Sequence, residues 1–257
     1  MTFEQKFIAF RTILIKEVLR FSRIWLQTLL PPMITTALYF VIFGNLIGAQ
    51  IGDIKGYRYI EFIVPGLIMM SIITHSYANV VSSFYGAKFQ RHIEEMLVSP
   101  TPNYVIVLGF VTGGMARGLA VGGAVTLVSL CFTRLPVHNL WVALSMAVLT
   151  AMVFALAGLI NGVFAKSFDD ISIIPTFVLT PLTYLGGIFY SIQMLPDFWQ
   201  GVSLGNPILY MINGFRYGLL GISDIRLVTS YIIIVGFILL LFSASLLLFK
   251  KGVGIRS

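Results

Sequence analysis

The feature that most constrains this chain is its succession of long apolar runs. A helix crossing the hydrocarbon core of a bilayer needs about 20 predominantly apolar residues, since each adds about 1.5 Å and every backbone polar group must be satisfied within the segment. Six segments meet that requirement: 24–46, 60–84, 105–132, 140–164, 172–190 and 228–249. Their apolar residues are continuous and do not alternate, which excludes a closed β-barrel. Pro175 and Pro181 interrupt the fifth, so a kinked helix is expected there, packed inside the bundle where neighbours re-satisfy freed backbone groups. With 58% hydrophobic and 11% charged residues, against about 25% charged in soluble domains, the bilayer is the main solvent. The expected fold is all-α, a polytopic membrane protein with six transmembrane helices in a single domain spanning 1–257.

Short loops make Lys/Arg counting informative about orientation. With an even number of spans, one side holds Lys6, Arg11, Lys16, Arg20, Arg23, Lys88, Arg91, Lys166, Lys250, Lys251 and Arg256. The other holds Lys55, Arg58, Arg134, Arg216 and Arg226. This bias predicts that both termini are cytoplasmic. The N-terminus lacks the short apolar core and small-residue cleavage site of a signal peptide. Cys131 is the one cysteine, so no intrachain disulfide forms. No Lys/Arg cluster is interleaved with exposed aromatics, which argues against a nucleic-acid partner.

Three segments outside the spans carry a pattern. In the first, 1–23, Phe3, Phe7, Phe10, Leu14, Val18 and Phe21 fall on one stripe of a helix, with Gln5, Thr12, Lys16, Arg20 and Arg23 opposite. This predicts an amphipathic helix in the interface, its cations toward anionic head groups. It serves either as an orientation anchor or also as a contact for a cytoplasmic partner. The second segment, 86–102, has Phe89, Ile93, Met96 and Leu97 on one face, Lys88, Arg91, His92 and Glu95 on the other, and stops at Pro100 and Pro102. It is either a docking helix for another protein or an interfacial loop helix. The third, 191–226, is too polar for a clean span and too apolar for a solvated loop. Pro196 and Asn206-Pro207 break it, and Tyr190, Trp199, Tyr210 and Tyr217 suit a membrane–water interface. Short helices re-entering the outer leaflet are expected, the alternative being a seventh span at 202–222.

Within the spans, Gly109, Gly113, Gly114, Gly118 and Gly122 include pairs four apart, which allow close helix approach. Packing within one subunit is favoured over a dimer interface. Arg117 lies among them, about 20 Å along the helix, and is expected to face the interior or a cavity, where Glu61 or an unwound carbonyl pairs with it. Asp169-Asp170 read as a cap for the helix starting near Ile171. His75, His92 and His138 are scattered, so no metal site is expected. The stretch Gly162–Ser167 lacks the glycines of a Walker A loop, with Ile160 and Ala165 at the glycine positions.

Two motifs resemble those of type-2 ABC transporter permeases. Glu94-Glu95-Met96-Leu97-Val98-Ser99-Pro100 is similar to the family's Glu-x-Leu-x-x-(Ser/Thr)-Pro signature after the second span, with one residue fewer between Leu and Ser and His92-Ile93 where Gly-Thr is common. Gly186-Gly187-Ile188-Phe189-Tyr190, Leu195-Pro196, Asn206-Pro207 and Gly214-Phe215-Arg216 resemble its closing signature in order and spacing. The resemblance covers essentially the whole chain.

It implies a homodimeric permease of the bacterial inner membrane that exports an amphipathic or hydrophobic substrate. Two copies of a separate ATPase subunit would hold ATP and Mg, and this chain would bind no cofactor and catalyse nothing itself. Residues 1–23 would be a connecting helix and 24–249 the six-helix membrane domain. The 86–102 segment would be the coupling helix, with Lys88, Arg91, His92, Glu94, Glu95, Leu97 and Pro100 meeting the ATPase. Phe62, Tyr77, Arg117, Phe177 and Tyr184 would line the path. A secondary transporter would instead need ion-coupling acids inside the spans, and a membrane enzyme would need converging His, Asp or Glu groups. A structural or assembly protein needs neither.

Overall fold

The computed structural model describes residues 1–252 and 254, with positions 45, 46 and 49 described by backbone alone. Arg256, counted above among the cytoplasmic cations, lies outside the described residues. The first helix, α1 (Phe3–Ser22), opens with a capping box: the Gln5 amide donates to Thr2 Oγ1, and the Thr2 amide donates to Gln5 Oε1 at 2.9 Å. After it come α2 (Trp25–Tyr39), a π-helical stretch at Phe40–Ile47, and α3 (Gly48–Ile51). Strands β1 (Asp53–Ile54) and β2 (Tyr57–Arg58) form a minimal antiparallel hairpin. Its turn, Lys55-Gly56, has positive φ at both residues, as a tight hairpin requires.

Next come α4 (Tyr59–Phe89), α5 (His92–Val98), α6 (Asn103–Leu130) and α7 (Leu140–Phe164). The remainder is α8 (Asp170–Ile174), a π-helical turn at Pro175–Leu179, α9 (Thr180–Tyr184), a 3-10 turn at Ile192–Met194, α10 (Asp197–Leu204), α11 (Pro207–Leu220) and α12 (Leu227–Lys251). Five helices are long and apolar enough to cross a membrane: Trp25–Gly44, Tyr59–Phe89, Asn103–Leu130, Leu140–Phe164 and Leu227–Lys251.

The core is a three-helix sandwich of α4, α6 and α7. The most apolar window of α4 is 72% buried, whereas those of the first and last spans are 17% buried. Those two therefore flank the core and turn most of their apolar surface outward. The glycines of α6 explain the tight centre. Gly114, Gly118 and Gly122 face Val80, Ser76 and Ile72 of α4, while Gly109 and Gly113 receive Ile13 and Glu17 of α1. All five notches are filled within one subunit, as the spacing suggested.

The helix α1 does not stand apart from the bundle. Two successive turns of it meet two successive turns of α6 in the same direction. Ile13 and Glu17 lie about a quarter turn from the phenylalanine stripe, so the stripe is not the packed face: Phe3 and Phe7 are exposed, at 85% and 56%, and Phe10, Leu14, Val18 and Phe21 are half-buried.

The fifth expected span differs most from the sequence expectation. The helical run 170–184 is about 22 Å long by its rise, short of the roughly 30 Å core. It lies at the periphery and not inside the bundle, with Phe177 73% exposed. Its two prolines widen the turn between them. Pro181 has no amide to donate, and the Pro175 carbonyl accepts from both the amide and the hydroxyl of Thr180, the latter at 2.9 Å. Neither acid caps this run through its first-turn amides as expected; Asp170, already helical, reaches back to accept from the Lys166 amide at 2.8 Å and the Ser167 amide at 3.1 Å, and its own amide donates to Ser167 Oγ. The Lys166 amide bond, aided by Ser167, holds its carboxyl below the usual range.

No continuous helix runs through 202–222. Helices α10 and α11 are separated at Asn206-Pro207. The Asn206 side chain accepts from the Ile208 amide and donates to the Leu182 carbonyl at 2.6 Å, while Pro207 takes the first helical position. Gly221, at φ +74°, ends α11.

Candidate functional site

The end of the bundle carrying α5 is built to display that helix. Arg91, at φ +62°, turns the chain sharply after α4. Ile93 is fully buried, and Met96 and Leu97 pack partly against the core. What remains outside is Arg91, His92, Glu95, Val98 and Pro100, with Glu94 half-buried and Val98 88% exposed. Lys88 is not part of that display. Its Nζ donates to the Val163 and Ala165 carbonyls, each at 2.8 Å, and so closes the C-terminal end of α7. Phe89 stands beside the helix, 67% exposed, in edge contact with Phe168 at 5.4 Å.

The residues expected along a path separate into two groups. Phe62 and Tyr77 are core residues, 1% and 2% exposed. Phe177 and Tyr184 are exposed on the peripheral run. Arg117 is half-buried between α6 and α4. Its partner is not Glu61, because Arg58 at the opposite end holds that carboxylate with Nη2 to Oε1 at 2.7 Å. Arg117 Nη1 instead reaches Asn79 Oδ1 at 3.5 Å.

That contact belongs to a polar cluster missed by sequence reasoning. Arg20 Nη2 donates to Asn79 Oδ1 at 2.7 Å, to the Asn79 carbonyl at 3.0 Å and to Glu17 at 3.3 Å. Glu17 is fully buried and also accepts from Ser83 Oγ at 2.6 Å. The available signal was an acid placed near the apolar side of an otherwise regular amphipathic helix. Its burial depends on the Gly113 notch, 96 positions away in sequence, and so was invisible locally.

Beyond this cluster, α4 leaves one strip partly uncovered, in which Ser71, Thr74 and His75 stand beside Met70 and Ala78 and Thr74 is exposed. With α2 it forms a groove of about 250 Å³. At the far end of the groove, Tyr39 OH lies 3.4 Å from Tyr184 OH, and Phe43 stacks on Phe189 at 4.9 Å. These contacts join α2 to the peripheral run.

The hairpin end holds a second unforeseen network. Arg216, counted from sequence as a loop cation, is 1% exposed. It donates to the Gly187 carbonyl at 2.7 Å and lies 4.0 Å over the Phe62 ring. Asp224 accepts from Lys55 Nζ, from Ser191 Oγ at 2.8 Å and from the Ile192 amide at 3.2 Å. Burial pushes its carboxyl up, but these donors outweigh it and hold the group below the usual range. Tyr57 OH bonds the Leu220 carbonyl at 2.6 Å and Tyr59 OH the Phe189 carbonyl at 3.0 Å. Hairpin, 185–192 turn and α11 are therefore tied into one cap.

Residues 8–220 match the family described as ABC-2 type transporter. The chain is 61% identical over 251 residues to the inner membrane transport permease YadH of Escherichia coli K12, covering 97% of this chain and 98% of that one. It is 25% identical over 207 residues to nodulation protein J of Rhizobium meliloti, covering 80% and 79%. Nodulation protein J of Sinorhizobium fredii is 27% identical over 186 residues, covering 72% and 70%.

Proposed function

The chain belongs to the ABC-2 type transporter family, and on that premise we propose that it is the membrane subunit of an exporter driven by ATP hydrolysed on a separate ATPase subunit. It is a multi-pass helical transport permease. In the complex two copies of this chain meet two ATPase subunits, which hold ATP and Mg, in a bacterial inner membrane. Both termini lie in the cytoplasm. The segment 172–190, with the short helical run and the turn after it, is the fifth of six crossings in a single membrane domain, and α10 and α11 re-enter the outer leaflet. The substrate is amphipathic or hydrophobic.

The observation that carries this reading is α5. One face of a seven-residue helix is pinned to the bundle by Ile93, and the other offers Arg91, His92, Glu95 and Val98 to the solvent. A rigid, charged helix on a short tether transmits force in a way that a mobile loop cannot. Closure of the ATPases would push on 86–102 and tilt the first two spans. A secondary transporter is less well supported, because the buried acid Glu17 is already satisfied by Ser83 and Arg20.

Affinity purification in mild detergent tests the reading. A P-loop ATPase is expected to co-purify with the wild-type chain. Glu95→Arg, at an exposed position, should release it while leaving yield and thermal midpoint unchanged. Absence of any ATPase from the wild-type preparation overturns the proposal.

A further inference from the structure

Arg117 is short of a counter-charge. A guanidinium carries five N–H donors in a planar fork. Among the described residues Arg117 uses one, in a long bond to an Asn79 oxygen that Arg20 already engages at 2.7 Å. Its buried Nε has no partner, and neither has that of Arg20. The carboxylate of the cluster is committed: Glu17 is fully buried, with Ser83 on one oxygen and Arg20 on the other. The cluster thus places two guanidiniums against one carboxylate, and no ion pair of Arg117 occurs among the described residues. An uncompensated cation in the middle of an apolar helix is costly. Leucine at that position would avoid the cost, so packing alone does not account for Arg117.

Arg216 is a useful contrast within the same molecule. It is enclosed and roofed by an aromatic ring, and one nitrogen bonds two carbonyls; its Nε and Nη1 also lack partners, so exposure, and not the unmet donors, distinguishes the two arginines. Arg117 is half-exposed, and one turn along α4 from its partner Asn79 stands His75. His75 is the member of the groove lining on α4 nearest the α5 end. The groove continues away from it along mixed walls, with Pro32, Leu67 and Met70 set against Thr35, Ser71 and Thr74. Neither arginine lines the groove, but the cluster at Asn79 follows it one turn further along α4, so that cationic cluster and mixed apolar and hydroxyl-lined groove succeed one another as the two parts of an amphiphile do. A planar fork favours the two oxygens of a phosphate or carboxylate.

We infer that Arg117, with Arg20 beside it, receives the anionic headgroup, a phosphate or carboxylate, of an amphipathic molecule whose apolar part lies in the groove between α2 and α4. As the receiving site of an exporter this rests on the permease reading. As a binding site it is measurable on this chain alone, without nucleotide or ATPase, so that loss of the ATPase partner and loss of the headgroup site are separate results.

The test titrates the purified full chain in neutral detergent, following its thermal midpoint. The probes are dioctanoyl phosphatidylglycerol, dioctanoyl phosphatidylcholine and inorganic phosphate. Saturable stabilisation by the phosphatidylglycerol and none by the phosphatidylcholine is expected. Arg117→Gln, which keeps a donor for Asn79, should weaken the anionic lipid by about tenfold or more, the scale of a charge-assisted bond. Arg117→Lys should recover part of that loss. Thr74→Phe fills the groove from its exposed wall without touching either arginine, and should weaken the lipid comparably. If Arg117→Gln fails to fold, Thr74→Phe decides the matter. Unchanged affinity for phosphatidylglycerol in the folded variants, or equal binding of phosphatidylcholine, overturns the site. Phosphate alone binding as tightly as the lipid overturns the headgroup assignment.

Discussion

A guanidinium taken out of water must replace the hydrogen bonds it leaves behind. Arg216 does so only in part, its Nη2 reaching the carbonyls of Gly187 and Ile188 at the turn of Gly187 (φ +75°) and its plane lying over the face of Phe62, while Nε and Nη1 have no partner. Truncation to Ala would orphan those carbonyls and open a cavity. Arg216→Ala is therefore expected to lose roughly 2–3 kcal/mol, read as a lowered midpoint in thermal unfolding, with Arg216→Lys intermediate. Asp224 works by charge. Its folded carboxyl titrates below the ordinary carboxylate value, so its contribution is fully present above that value, roughly pH 4, and fades as the pH falls through the depressed one. Wild type should exceed Asp224→Asn in stability at pH 7, and the gap should close in acid. An equal gap at both pH values would remove the Lys55 pair as its cause. Neither residue was legible in sequence. Lys/Arg counting treats 191–226 as a loop, and a solvated arginine and a buried one have the same local pattern. The difference is made by a turn 29 positions earlier.

At the scale of the element, periodicity gave helix lengths well but facing directions poorly. The stop at Pro100 is local chemistry, and α5 ends just before it as the spacing predicts; the capping box at Thr2 is equally local and was not read from the sequence. The stripe of phenylalanines on α1 also exists, but tertiary contact adds a third face that composition does not reveal. Glycine spacing on α6 marked the notches without naming their occupants. This gives a paired prediction. Gly113→Leu collides with Glu17, whereas Gly123→Leu meets nothing within 4 Å. The first should destabilise by about 1–3 kcal/mol, the usual scale of overpacking. It should also loosen α1, read as faster proteolysis within residues 1–23, and the second should be near neutral. The fifth segment was misplaced for a related reason. Prolines forecast a break in the ladder correctly, but burial was inferred from the need to satisfy freed carbonyls. The π-helical turn at Pro175–Leu179 takes up the break without burial of the run.

At the scale of the molecule, the arrangement of polar surface separates a lone subunit from half of an assembly. The uncovered flank of α12 is apolar except for Ser243, with Leu239 and Leu240 more than 60% exposed. The uncovered strip of α4 is more polar. The Ser71 hydroxyl bonds the Leu67 carbonyl at 3.0 Å, but Thr74 and His75 facing hydrocarbon would forgo hydrogen bonding, so this strip needs water, cargo or a second copy against it. Cysteine labelling distinguishes these surroundings, since a thiol reacts with charged reagents only as thiolate and hydrocarbon does not support the thiolate. In a Cys131→Ser background, which removes the exposed native thiol, Thr74→Cys in intact membranes should react with a charged methanethiosulfonate, and Leu239→Cys should stay silent. Added ATP together with the partner ATPase should change the Thr74→Cys rate, because tilting the first two spans opens or closes the groove between them. Silence at both positions would mean that the strip faces lipid. The exposed 170–184 run would then be an outer wall of the protein, and the path would have to lie elsewhere than between α2 and α4.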